Sequence, residues 1–264
     1  MTLPHSEHTT RMALASLDGI GAASYEQLLR EFGSAEETVG VNITALHSLP
    51  GISLSMAERI IALRDTLDPV RERWESLKGR RVVARLSDTP EYPGQLRKIP
   101  GAPPLLLTWG AEGMLPERSV AIVGTRNPCP EGLEAAATAA RLAREDGWCV
   151  VSGLARGIDA AAHRGALAAA EDGEWASIAV VGHDLTSMYP PEHRRLAVEI
   201  GCAGAVASEC LFGAVGARRL VRRNRIISGL SLGVVVTEAP QRSGALITAR
   251  CAAEQNREGF AIPG

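Results

Sequence analysis

Paired cysteines, lysine, long apolar runs and the common nucleotide fingerprints are all scarce or missing in this chain. The five cysteines (Cys129, Cys149, Cys202, Cys210 and Cys251) are scattered, odd in number and never spaced as CxxC. That excludes a disulfide framework and a zinc site, and it fits a reducing cytoplasm. No apolar run reaches the roughly 18 residues that a membrane span needs, and the opening MTLPHSEHTTRM lacks the basic-then-apolar order of a signal peptide. The expected location is therefore the cytoplasm. Neither GxGxxG nor GxxxxGK(S/T) occurs, so neither a dinucleotide site nor an NTPase site is indicated. No paired-carboxylate, Ser/His/Asp or Cys/His constellation stands at convincing positions either. The expectation is a protein without cofactor, metal or catalytic residues. Lysine occurs only as Lys78 and Lys98, so 26 of the 28 basic residues are arginine. Arginine supplies bidentate forks for phosphate rather than point charges.

The 264 residues, 45% apolar and 22% charged, allow one large domain or two smaller ones with a substantial core. Charge is unevenly spread. Residues 1–79 carry 7 basic and 11 acidic side chains, a net of −4, and residues 80–264 carry 21 basic and 19 acidic, a net of +2. The first part reads as helical with a weak repeat: LASLDGIGAASYEQLL (14–29) aligns with LHSLPGISLSMAERII (46–61). Each copy resembles a helix-hairpin-helix, in which the N–H groups of a Gly-Ile-Gly turn can meet a DNA phosphate. The acidic balance favours the other reading, that the hairpins pack on one another and hold a second module, because phosphate neutralisation carries DNA affinity. A charged stretch at 64–81 reads as a connecting helix or linker. Leu105–Trp109 reads as an edge strand, since Pro103 and Pro104 precede it.

From Ser119 onward, short β-branched runs (119–124, 148–153, 177–182, 205–209, 233–238 and 259–264) alternate with helical stretches (131–146, 159–171, 192–200, 219–229 and 243–256). Strands that are apolar throughout are buried on both faces, so the sheet is parallel and flanked by helices. The expected fold is α/β: a Rossmann-like, doubly wound, mostly parallel sheet over residues 88–264. A small all-α domain of helix-hairpin-helix or SAM-like type (1–70) precedes it, with a linker at 71–87. Ligands belong at the carboxyl ends of such strands.

Those ends carry loaded sequences. Gly124-Thr125-Arg126 offers close backbone approach, a hydroxyl and a guanidinium. Ser152-Gly153 runs on to Arg156-Gly157-Ile158-Asp159, a strand–turn–helix junction whose N–H groups and helix dipole suit an anion. Asp159 sits where an N-cap belongs, and His163 reads as a packing or surface histidine. His183-Asp184 is polar but has no third partner. Glu238, at another strand end, is the one catalytic suspect, and Ser243-Gly244 opens a helix. Arg218, Arg219, Arg222, Arg223 and Arg225 form a single-sign cluster with no acid inside it, which reads as an anion site.

Taken in order, GTR (124–126), SGLARGIDAAAHRGAL (152–167), YPPEH (189–193), RRNRIISGLS (222–231), EAPQRSGALITA (238–249) and AIPG (261–264) resemble the signature blocks of the DprA/Smf family of DNA-processing proteins. The resemblance is strong over about 88–264 and weak over 10–65. It implies a non-enzymatic, dimeric protein that binds single-stranded DNA with little sequence preference and helps load the RecA recombinase in natural transformation. It implies phosphate contacts from Gly124, Thr125 and Arg126 and from the Ser152-Gly153 turn with Arg156 and Gly157. Arg222, Arg223, Asn224 and Arg225 of the RNR block, and Ser243-Gly244, would complete the site. Two blocks depart from the family: Leu220-Val221 replaces Phe-Pro, where an aromatic could stack on a base, and Gly182-His183-Asp184 replaces a Gly-Cys-Gly-like turn. Relatives also continue beyond AIPG with a further helix and sometimes a winged-helix domain, toward which the family's dimer and RecA contacts lie. The rival readings are a sensor of a nucleotide-derived ligand and a phosphoribohydrolase-like enzyme with Glu238 as acid. The latter needs a PGGxGT loop where this chain has SGALITA.

Overall fold

The computed structural model describes residues 5–171, 173–241 and 243–263; Arg242 of the EAPQRSGALITA block and Gly264 of the AIPG block lie outside them. The N-terminal part is helical: α1 (His5–Ala15), α2 (Ala22–Phe32), α3 (Ala35–Gly40), α4 (Ile43–His47), α5 (Leu54–Ala62) and α6 (Leu67–Lys78). The pairs α1–α2 and α4–α5 are the two repeat copies. Their turns match: Gly19 (φ 95°) and Gly51 (φ 81°) adopt a conformation open to glycine, and Ile20 and Ile52 are buried behind them. The second copy starts its helix with Ser53, whose Oγ accepts from the Met56 N–H at 3.2 Å, as an N-cap does. Tyr25, Met12, Leu14, Leu28, Leu46 and Ile60 fill the space between the hairpins.

The remainder runs β1 (Val82–Leu86), α7 (Gly94–Arg97), β2 (Leu105–Gly110), β3 (Ser119–Val123), α8 (Pro130–Glu145), β4 (Cys149–Ser152), α9 (Ile158–Ala168) and β5 (Ser177–Val181). It continues with α10 (Arg194–Cys202), β6 (Gly204–Ser208), α11 (Ala217–Arg222), α12 (Asn224–Gly229), β7 (Gly233–Val236), α13 (Gly244–Glu254) and β8 (Glu258–Ala261). The strands form one eight-stranded sheet, in the order β1-β2-β6-β5-β4-β3-β7-β8. Strands β3 to β8 are mutually parallel, and β1 and β2 are antiparallel additions. The α/β, mostly parallel, doubly wound fold is thus as expected. The chain winds from β3 through β4 and β5 to β6 in one direction, then returns to β7 on the other side of β3. The topological switch point lies between β3 and β7, where α/β sheets hold ligands.

Two local expectations differ from the structure. Leu105–Trp109 is not an edge: β2 is paired on both sides, with β1 and with β6. Pro103 and Pro104 stand just ahead of the strand, so they remove no N–H from its ladder, and the Pro104 carbonyl accepts from Ser87 N–H at 2.9 Å. The edge is β1, drawn from the 71–87 stretch that reads as linker. Its Val82 and Leu86 are buried with Leu105 and Leu107 in the core of the helical hairpins, so burying those side chains favours a strand over a loop. The core of the helices is therefore continuous with the sheet. The helix expected at 219–229 is also two short helices, α11 and α12, meeting at Arg223.

Candidate nucleic-acid interface

At the carboxyl ends of β3 and β7 a cleft of about 390 Å³ is lined by the GTR turn, Asp159, Leu220, Val221, Arg223 and the Ser243-Gly244 start of α13, among others. Its wall is built by backbone ties. Thr125 N–H donates to the Glu238 carbonyl at 2.7 Å, joining the ends of β3 and β7, and Ile158 N–H donates to the Thr125 carbonyl at 3.2 Å, joining α9. Gly157 (φ 74°) must be glycine here, because a Cβ would strike the Thr125 carbonyl and the backbone of Arg126. The second glycine turn therefore shapes the first. The Thr125 hydroxyl accepts from Asn127 N–H at 3.3 Å, and Arg126 projects, exposed, above the turn. Ser243 caps α13, its Oγ accepting from Ala245 N–H at 3.2 Å. Gly244 is exposed, with open space where a Cβ would sit. The positive end of the α13 dipole faces the same space as Arg126.

Several residues expected to grip phosphate also make bonds within the protein. Ser152 is fully buried and its Oγ donates to the Ile122 carbonyl at 2.6 Å. Gly153 lies against the guanidinium of Arg223, where any Cβ would collide. Arg223 is buried: Nη1 donates to the carbonyls of Gly153 (2.5 Å) and Val180, and Nε to Asn224 Oδ1 (3.0 Å). It clamps the α11–α12 junction onto the ends of β4 and β5. Asn224 passes the link on, its Nδ2 donating to the Gly244 carbonyl at 3.2 Å. Arg225 pairs with Glu209 at 2.6 Å, and Arg222 pairs with Asp18 at 3.1 Å and Glu209 at 3.6 Å. The arginine cluster, free of acid in sequence, thus receives acids from the residue just after β6 and from the first hairpin turn. Arg219 donates to the Phe212 carbonyl at 3.0 Å. Arg126 and Arg218 are exposed and enter none of the ion pairs among the described residues. Arg156, also exposed, pairs with Glu192 at 2.5 Å.

The electrostatics of the floor follow. Burial raises the pKa of Asp159, and Arg223 opposes that rise. Burial lowers the pKa of Arg223, and Asp159 opposes that fall. The two side chains balance one another beneath the cleft, which leaves its positive character to Arg126 and the α13 N-terminus. Asp159 is not the N-cap of α9, a place Gly157 holds. It lies in the first turn, and its Oδ2 accepts from Ala155 N–H at 3.2 Å, holding the preceding loop.

The other polar residues singled out in the sequence also bond within the protein. His163 is buried; its Nδ1 lies 2.7 Å from Ser177 Oγ, which itself donates to the Val150 carbonyl. Burial pushes its pKa down to about 3, helped by the nearby charges of His193, Arg223 and Arg164, so it is neutral. Asp184 accepts from Thr186 N–H and pairs with Arg73 at 2.9 Å, fastening α6 to the end of β5. Glu238 accepts from Cys129 N–H at 3.0 Å and the Cys129 thiol at 3.2 Å. A carboxylate there complements the N-terminus of α8. In the first hairpin turn, Ile20 N–H donates to the Leu17 carbonyl and Ala22 N–H to the Ala102 carbonyl at 2.9 Å. Those donors are spent on the protein. Among the described residues no helix is long and apolar enough to cross a membrane, and no His/Cys/Asp/Glu cluster could hold a metal ion.

Fold and cleft together define a Rossmann-like α/β protein with a cleft at the switch point and a helical-hairpin module packed on one sheet edge. The chain belongs to the DNA recombination-mediator protein A family, whose model matches residues 84–264. It is 35% identical to Protein Smf of a Synechocystis strain over 268 residues, covering 99% of this chain and 66% of that protein. It is 41% identical to the DNA processing protein DprA of Streptococcus pneumoniae over 174 residues, covering 66% of this chain and 60% of that one. The chain thus spans less than two thirds of the length of these curated relatives. The X-ray structure of Streptococcus pneumoniae DprA superposes with a TM-score of 0.77 at 29% identity, covering 100% of this chain and 88% of that one. A Helicobacter pylori DNA processing protein A, solved to describe its single-stranded DNA binding mode, superposes with a TM-score of 0.61 at 27% identity over 69% of this chain and 81% of its own.

Proposed function

We propose that this chain binds single-stranded DNA through its phosphate backbone, in the cleft between β3 and β7, and that it acts with a RecA-type recombinase as a dimer. The observation that carries this reading is Arg126, exposed and in none of the ion pairs among the described residues, beside the N-terminus of α13 at the switch point. A fork-shaped cation and a helix N-terminus converge where an anion would sit. The family and the single-stranded DNA described for the Helicobacter pylori relative support DNA as the source of that anion. Gly124, Thr125, Arg126, Ser243 and Gly244 would face the strand. Arg156, Arg218 and Arg222 would flank it. Ser152, Gly153, Gly157, Arg223, Asn224 and Arg225 would hold the walls. The role is binding rather than catalysis, since Glu238, the catalytic suspect, is committed to the start of α8.

Anisotropy of a labelled dT oligonucleotide across a salt series tests this. Arg126→Ala should weaken binding for all sequences alike and flatten the slope of log K against log salt by about 0.7 per lost phosphate contact. An unchanged slope would remove Arg126 from the interface. Competition by mononucleotides at similar concentrations would favour a small-ligand sensor instead.

A further inference from the structure

Three aromatic side chains are exposed among the described residues: Tyr189, Phe212 and Phe260. Phe260 lies on β8 beside Val120 and Trp148, at the amino ends of the strands and far from the cleft. Phe212 has the guanidinium of Arg73 over its ring at 6.0 Å. Tyr189 borders a small depression with Arg126, Arg156 and Leu220. Arg126, Ala155, Leu220 and Arg223 also line the main cleft, so the two depressions adjoin. Tyr189 therefore stands on the rim beyond Arg126.

The loop that carries Tyr189 is held at two points. Glu192 pairs with Arg156 at 2.5 Å. The buried His193 donates from Nδ1 to the Leu154 carbonyl at 2.8 Å. Pro190 and Pro191 follow the tyrosine directly and restrict the backbone between it and those anchors. A ring fixed in this way loses little freedom when a ligand covers it. Leu220, on the same depression, offers no π face. A planar, partly exposed ring flanked by Arg126 and Arg156 has the makeup of a single-strand site, in which cations follow the backbone and an aromatic takes the base.

We infer that Tyr189 is a base-stacking platform, receiving the base of the nucleotide whose phosphate lies near Arg126. The inference rests on the reading of the cleft as a single-stranded DNA site. It makes the rim at Tyr189 a subsite for a nucleobase of any identity, since every base has a π face.

The test uses two labelled probes of equal length, a dT oligonucleotide and an abasic (tetrahydrofuran) strand with the same phosphates. Tyr189→Leu should weaken dT binding at least about fivefold, leave the salt slope unchanged and leave binding to the abasic strand unchanged. Tyr189→Phe should bind dT as the parent does. Equal losses on both probes would show that the loop, not the ring, matters, and would overturn the inference. So would an unchanged dT affinity, or a loss in Tyr189→Phe as large as in Tyr189→Leu. If the parent chain binds neither probe, the single-stranded DNA reading itself fails, and the base subsite falls with it.

Discussion

The first hairpin turn and the GTR turn look alike in sequence, and the fold treats them in opposite ways. Both are short glycine turns at the start or end of a regular element, and both could present N–H groups to a phosphate. In the hairpin, Ala22 N–H is taken by the Ala102 carbonyl and Ile20 N–H by the Leu17 carbonyl, and the exposed side chain at the turn is the acid Asp18. At the end of β3, Arg126 stays exposed and α13 aims its N-terminus at the same space. Both turns have backbone donors already claimed, since Thr125 N–H goes to the Glu238 carbonyl, so what sets the GTR turn apart is the exposed guanidinium beside it. The arginines repeat the lesson: Arg223 has the same fork as Arg126, but three acceptors of the protein hold it.

That contrast between Arg223 and Arg126 can be broken most forcefully by removing the buried fork. Arg223→Ala would strand the Gly153 and Val180 carbonyls and leave Asp159 buried without its compensating charge. Loss of one partner from such a buried set costs about 3–5 kcal/mol. The expected outcome is a large drop in the denaturant midpoint. If Arg223→Ala instead keeps its stability and loses only DNA affinity, Arg223 belongs with Arg126 among the DNA contacts rather than beneath the cleft.

A second test concerns the same buried region. The pKa of His163 is near 3 when folded, mainly through burial, and about 6.5 when unfolded. Between those values the unfolded chain holds one more proton, so stability rises with pH there and is lost as pH falls. From pH 6.5 to pH 4 the loss attributable to this one group is about 3 kcal/mol. Denaturation followed at several pH values should show it, and His163→Gln should flatten that part of the curve.

Arg126→Ala should give the reverse of Arg223→Ala. Its side chain is exposed, so the denaturant midpoint should stay put. Affinity for single-stranded DNA should fall by about 1.5 kcal/mol, roughly tenfold, the worth of one charge-assisted hydrogen bond. A change in midpoint as large as the change in affinity would contradict the assignment.

The α/β fold was legible because its signal is local: continuous apolar runs mark parallel strands, and helical stretches separate them. The end of the sheet that holds the cleft was legible too, since ligands belong at the carboxyl ends of parallel strands and the GTR and Ser243-Gly244 turns follow such ends; the strand order that sets the switch point was not. What could not be read was which polar groups are consumed. Arg222 meets Asp18 across 204 residues of chain, and Arg225 meets Glu209 from a different element. A count of charge inside one segment cannot see such partners, so the arginine cluster looked unrelieved. Ser152 and Asp159 were misplaced for a similar reason. Each lies at the right strand or helix end, but its side chain points inward to a main-chain group of a neighbouring element. Strand β1 was hidden by the charged residues around it, and only the apolar surface of the hairpins explains why Val82 and Leu86 form a strand.

The smallest expected effect tests where hairpin and cleft meet. Asp18, in the first hairpin turn, holds Arg222 at 3.1 Å, and both side chains are substantially exposed. Exposed pairs of this kind contribute about 0.2–1 kcal/mol and weaken with salt. Asp18 therefore competes weakly with any phosphate for Arg222. Asp18→Asn should raise affinity for a dT oligonucleotide by no more than about threefold at low salt, and the gain should shrink as screening increases. Folding stability should hardly change, because Arg59 still donates to the Asp18 carbonyl at 2.7 Å and keeps the turn in place. If Asp18→Asn weakens binding instead, Arg222 needs its acid to point toward the strand, and the hairpin turn contributes to the DNA interface through that orientation rather than through its backbone.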